Sequence, residues 1–167
     1  VYRWSLDRLW ADYHLLRWAR PKIMTFIMLN PSTADAFTDD PTLRRCIGFA
    51  QREECHGLRV INLFSYRTPD PDDLIAAIMS GVDPFGSRHD EFVCEALQMA
   101  NGPIVAGWGA NTLRGGIELG LNRLRSCAEW VGLDGEPLLC LGTTASGAPR
   151  HPLYRPAETP LIEWGVL

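Results

Sequence analysis

The chain has 167 residues, 46% hydrophobic and 22% charged, with a formal net charge of −4 at pH 7. That length fits one domain spanning residues 1–167, and the composition is that of a globular protein able to build its own core. It excludes intrinsic disorder, a disulfide scaffold, and a helical membrane span, since no window approaches the roughly 18 uninterrupted apolar residues such a span needs.

Near the start, Tyr2, Trp4 and Leu6 alternate with polar residues in a strand rhythm, and Leu15, Leu16 and Trp18 form a second apolar stretch. The pattern predicts an N-terminal hairpin or strand pair, with a helix over 9–18 as the alternative. Residues 23–29 are almost continuously apolar, as in a strand buried on both faces of a parallel sheet. This run stops at Asn30-Pro31-Ser32, where proline blocks further ladder bonding. A loop with Asp35, Asp39 and Asp40 follows, and Pro41-Thr42 opens a helix with Leu43, Cys46, Ile47 and Ala50 at helical spacing.

Residues 58–63 read as a second buried strand, followed by a loop rich in aspartate and proline. Helices are predicted over 72–79 and 91–100, the second after the turn Asp83-Pro84-Phe85-Gly86. A third strand over 103–107 ends in Gly107-Trp108-Gly109. A helix over 113–131 with glycine interruptions and a fourth strand over 138–141 follow, and the tail runs through a loop over 142–154. Strand–helix alternation of this kind predicts an α/β three-layer sandwich, its central sheet mainly parallel with about four core strands.

Of the 16 basic residues only Lys22 is a lysine. That removes P-loop NTPases, lysine Schiff-base enzymes and kinases built on a strand lysine. The arginines suit phosphate or carboxylate recognition, and equally follow from a GC-rich genome. Five cysteines are scattered without a C-x-x-C pair, which predicts a reducing compartment and gives no zinc or iron–sulfur pattern. No basic-then-apolar leader is seen, so the cytoplasm is the expected location, with no membrane partner. The chain opens at Val1 rather than methionine, from which an altered or trimmed start is expected.

In open parallel sheets ligands bind beyond the carboxyl ends of the strands. The unusual residues of this chain fall there: Asn30-Pro31-Ser32-Thr33 after the first core strand, Asn62 after the second, Gly107-Trp108-Gly109 after the third, and Arg150-His151-Pro152 after the fourth. Each has a plainer reading. Asn30 caps a turn, Asn62 satisfies a buried loop, His151 is a hydrogen-bonded structural histidine, one of Asp39 and Asp40 caps the helix, and Trp108 is core or pocket wall. Familiar catalytic strings fail: the third glycine of a dinucleotide fingerprint is missing, no serine elbow is in register near Thr144, and neither H-E-x-x-H nor a deaminase pattern occurs.

The strings LNPSTAD, DDPTLRRC, VINLFSYRTPDP, DPFG, GWG and GAPRHPLY, in this order over residues 2–155, resemble the bacterial and phage domain-of-unknown-function family 1643. That family's pattern has asparagine where this chain has His89. MLNPS around Asn30, VINLF around Asn62 and RHPLY around His151 are more distantly similar to three motifs of the uracil-DNA glycosylase superfamily. This chain departs from it in Ser32, where many members have glycine, in Leu153-Tyr154 after the histidine–proline pair, and in lacking cluster cysteines.

The second resemblance implies a glycosylase-like fold and an N-glycosylase type of hydrolase, with no cofactor and no metal. It implies that Asn30 positions water against the sugar C1′, that Asn62 reads a base edge, and that His151 stabilises charge on the departing base. Phe37 or Phe64 would stack on the base. Asp39 and Asp40 join Asn30 and His151 as catalytic candidates. Pro31, Ser32, Thr33, Phe37, Asn62, Phe64, Trp108 and Arg150 are candidates for binding nucleic acid or a free nucleotide. Two other readings remain open: a non-catalytic module that binds a nucleotide or modified base, and a protein-interaction domain.

Overall fold

In a computed structural model of the chain, residues 2–10, 20–32, 38–111 and 113–167 are described. The strands are β1 (Ser5–Leu9), β2 (Ile23–Met28), β3 (Gly57–Asn62), β4 (Ile104–Ala106), β5 (Pro137–Cys140) and β6 (Ile162–Val166). The helices are α1 (Pro41–Arg52), α2 (Pro71–Met79), α3 (His89–Gln98) and α4 (Ile117–Val131), with 3-10 turns at Leu113–Gly115 and Pro152–Tyr154. None of these helices is long and apolar enough to cross a membrane.

The six strands form one mixed sheet in the order β1-β3-β2-β4-β5-β6. β3, β2, β4 and β5 run parallel to their neighbours, while β1 and β6 pair antiparallel at the two edges. The period-2 geometry of a strand divides β2 between two cores. Met24, Phe26 and Met28 meet Leu43, Cys46, Phe49 and Ala50 of α1 on one face. Ile27 and Leu29 join Leu74, Val93, Leu97, Leu121 and Leu124 of α2, α3 and α4 on the other. The sheet therefore carries helices on both faces.

The N-terminal strand rhythm is present: β1 pairs with β3, from Ser5 opposite Ile61 to Leu9 opposite Gly57, while the second stretch of the expected hairpin lies outside the described residues. Leu6 lies inward on the α1 face, which fixes this register. The helix proposed over 9–18, with Leu15, Leu16 and Trp18, falls largely on residues 11–19, outside the described residues. Beyond the loop expected over 142–154 the chain adds β6, an edge strand whose Ile162 and Val166 are exposed and give it no buried pattern. The helical stretch over 113–131 is interrupted at Gly115, at φ +94, which separates a 3-10 turn from α4.

β2 and β4 are neighbours, yet the helix after β2 lies on one face and the helix after β4 on the other. This is the topological switch that opens a crevice at the carboxyl ends of parallel strands.

Candidate functional site

At that end of the sheet, on the α1 face, a cavity is lined by Asn30, Ser32, Asp40, Asn62 and His151 together with Arg3. Its apolar wall includes Leu6, Met28, Val60 and Cys46. The described walls enclose about 70 Å³, room for roughly two water molecules or the edge of a flat ring.

Asn62 reaches the cavity by strand periodicity. It ends β3 opposite Met28 of β2, two residues beyond Val60 on the same face. The residue is only 4% exposed, and its Nδ2 is buried without a hydrogen-bond partner among the described residues. Leaving such a group unbonded costs about 1–3 kcal/mol.

Asn30 is held differently. Its Nδ2 donates to the Thr68 carbonyl at 2.8 Å and, more weakly, to the Pro31 carbonyl at 3.4 Å. The Thr68 N–H returns a bond to the Pro31 carbonyl at 3.1 Å, and Arg67 Nε donates to the Ser32 carbonyl at 3.0 Å. The Asn-Pro-Ser turn is thus laced to the loop that precedes α2. With the amide nitrogen spent on backbone, Oδ1 is the open atom of Asn30, an acceptor for a water or a ligand donor.

Asp40 and Ser32 close the next loop. Asp40 is the N-cap of α1, its Oδ1 accepting from the Leu43 N–H at 2.7 Å, and Pro41 supplies the first helical position. Its Oδ2 accepts from the Ser32 hydroxyl. One carboxylate therefore joins the start of α1 to the end of the Asn-Pro-Ser turn while facing the cavity.

His151 is delivered by a chain reversal. Beyond β5 the chain folds back so that Arg150 N–H bonds the Gly142 carbonyl at 2.9 Å and Thr143 bridges Pro149. His151 then caps the 3-10 turn, Nδ1 accepting from the Leu153 N–H at 3.3 Å. An accepting Nδ1 sets the neutral tautomer that carries its proton on Nε2. Burial holds this histidine below its ordinary pKa of 6.5, against the opposing pull of the nearby Asp40 carboxylate. The product is an uncharged N–H donor whose Nε2 makes no bond to any described residue.

The GWG string supports this corner. A Cβ on Gly107 would stand 2.9 Å from Met28 Sδ and 3.3 Å from Pro152 Cδ, so glycine lets the histidine turn approach the sheet. Gly109, at φ +80, bends the chain beside the His151 Cβ.

Other candidates lie elsewhere. Asp39 turns away to an ion pair with Arg8 at 2.8 Å. Phe64 is fully buried on the opposite face, stacked on Phe85 with centroids 5.3 Å apart. Trp108 is buried in that same core, edge-on to Trp164 at 5.1 Å. Arg150 is outward and donates through Nε to the Thr143 carbonyl at 2.8 Å. Pro31 is buried beneath the turn and contributes its carbonyl rather than a cavity wall. Thr33 and Phe37, like Asp35, lie outside the described residues.

Arg3, Thr42 and Cys46 line the cavity without having stood out in the sequence. Cys46 follows from the helical spacing of α1 once Asp40 is known to be the cap. No sequence signal pointed to Arg3, because its place depends on the long-range pairing of β1 with β3. Burial raises the Cys46 thiol pKa far above its ordinary value, so it is a wall rather than a nucleophile. Among the described residues no group of three or more His, Cys, Asp or Glu is arranged to hold a metal ion.

The chain belongs to the family described as Protein of unknown function (DUF1643), whose profile matches residues 3–153. No curated protein and no solved structure matches it.

Proposed function

We propose that the chain is an enzyme that hydrolyses a nucleobase N-glycosidic bond, with the base edge in the cavity and the sugar at its mouth. The observation that carries this reading is the buried Asn62 Nδ2, without a hydrogen-bond partner among the described residues, which lines the same cavity as Asn30 and the neutral His151. An amide donates and accepts side by side, as the edge of a nucleobase does, so a base relieves the missing bond. The small volume of this partly open cavity suits an edge entering first.

In the reaction, water adds to C1′ as the bond from C1′ to the base nitrogen breaks, and that electron pair leaves with the base. Asn30 Oδ1 accepts a hydrogen bond from the water and orients it. His151 Nε2–H donates to the base as negative charge develops there, a role that suits a neutral donor already in position. The Asp40 carboxylate opposes the positive charge that grows on the sugar. The water's proton goes to solvent and the departing base is finally protonated. An Asn-Pro turn after β2, an asparagine ending β3 and a His-Pro pair after β5 support a glycosylase-like version of the fold.

The test is release of free base from oligonucleotides and nucleotides carrying uracil, hypoxanthine or alkylated bases, followed by chromatography. Asn30→Ala and His151→Ala are each expected to lower the rate about a hundredfold, with circular dichroism unchanged. Full release by both variants, or none by the unaltered chain from any substrate, overturns the assignment. Stabilisation by a base or nucleotide without turnover makes the chain a binding module instead.

A further inference from the structure

We infer that the exposed side of α1 is a track for a nucleic-acid strand, which makes the substrate a base within a polymer rather than a free nucleotide. The delivery of a base into the cavity rests on the reading given above, whereas the arginine track does not.

Against a net charge of −4, Arg44, Arg45, Arg52 and Arg155 are concentrated between α1 and the segment that follows the histidine turn. Arg44, Arg45 and Arg52 line a groove of about 170 Å³ beside Phe49. Arg45 and Arg52 lie over the Phe49 ring, 5.5 and 5.2 Å from its centroid, and their guanidinium groups are fixed by backbone carbonyls. Arg45 Nη2 donates to the Arg155 carbonyl, and Arg52 Nη1 to the carbonyls of Ala157, at 2.7 Å, and Thr159. Carbonyl partners orient a guanidinium without neutralising it. Among the described residues, Arg52 is the one of the four with a carboxylate partner, Glu53 at 2.7 Å. The Arg155 Nε is buried and makes no hydrogen bond among the described residues.

Extent favours a polymer over a single phosphate: the cations run from Arg44 to Arg52 along about two turns of α1 and on to Arg155 in the next segment. The track also begins at the site, because the turn Pro152–Tyr154 that follows His151 packs on α1 and leads directly into Arg155. A strand lying on these cations would present successive phosphates along α1 and a base at the cavity.

The test is fluorescence anisotropy of a labelled 20-nucleotide single-stranded DNA, titrated with the whole chain from 50 to 200 mM NaCl. Three phosphate contacts predict a slope of log affinity against log salt near about −2, at roughly −0.7 per contact for single strands. Arg44→Gln and Arg155→Gln together are expected to weaken binding at least tenfold at low salt and to flatten the slope by about 1. Neither side chain pairs with a carboxylate among the described residues, and a thermal melt checks that the double variant is folded. Should that variant melt early, the salt slope of the unaltered chain still decides, since a slope near zero overturns the track.

Binding that ignores the two substitutions also overturns it. A mononucleotide that stabilises the chain while the oligonucleotide fails to bind overturns the track and leaves the cavity reading standing. Arginine-dependent oligonucleotide binding without base release supports the track and sinks the hydrolase.

Discussion

The two faces of the sheet contain one histidine each that burial makes hard to protonate, and the two are satisfied in different ways. On the face covered by α2, α3 and α4, His89 is 2% exposed, bonded through Nδ1 to the Ser65 hydroxyl at 2.7 Å and packed edge-on to Phe85. On the α1 face, His151 spends Nδ1 on a backbone N–H and keeps Nε2 for whatever enters the cavity. The same contrast holds for the surrounding side chains. One face closes over stacked aromatics, while the other ends in an unbonded amide, an open carbonyl oxygen and a bridging carboxylate. A low histidine pKa therefore does not identify a site; an unmet hydrogen-bonding capacity around it does.

The sharpest break in that comparison is Phe64→Ala. It should cost about 3–5 kcal/mol by opening a void in the closed face, read as a lower urea midpoint, while cavity-directed binding persists in the folded fraction. A loss below about 1 kcal/mol would mean that face is not the tighter core.

Acid should next reveal His89. Burial, the dominant cause, lowers its pKa from 6.5 to about 4, with Arg123 adding to the shift and Asp90 and Asp83 opposing it. The unfolded chain binds this proton more readily, so stability is full above about pH 6.5 and falls as pH drops towards 4. The loss reaches about 3 kcal/mol at pH 4. His89→Asn should remove most of that loss in denaturation curves at pH 7 and pH 4.5. A variant as acid-sensitive as the parent would show that other groups set the pH dependence.

The smallest expected effect has the opposite sign. Asn62→Leu replaces an unsatisfied amide by an apolar group of similar volume and should raise stability by about 1 kcal/mol, while abolishing stabilisation by bases or nucleotides. A destabilised variant would mean the amide is already satisfied in the empty cavity.

Much of this was readable from the chain because local chemistry decides it. The apolar run up to Met28 and the Asp-Pro start of α1 need only their neighbours, and Asn30, Asn62 and His151 stand out as an Asn-Pro turn after β2, an amide closing β3 and a His-Pro pair beyond β5. The rest depends on distant partners. Asp39 and Asp40 both precede Pro41, and only the positions of Arg8 and Leu43 separate an ion pair from a cap. Phe64 and Trp108 flank the right strand ends but belong to the opposite core, and the glycines on either side of Trp108 mark which side had to stay small. The edge pairings of β1 and β6 rest on backbone bonds to strands far away in the sequence, which side-chain patterns do not encode.

The reversal that delivers His151 has a consequence for how such a chain can vary. Its neck is closed by the Arg150–Gly142 backbone bond and the Thr143–Pro149 bridge, and its far side is anchored where Trp164 Nε1 donates to the Gly147 carbonyl at 2.8 Å. Ala145 and Ser146, both exposed, lie between these ties. Added residues there would bulge into solvent at little entropic cost and leave the neck where it is. Loop length is thereby decoupled from histidine position, so this tip is free to diversify, or to accept a tag or a grafted recognition loop, within reach of the cavity it serves.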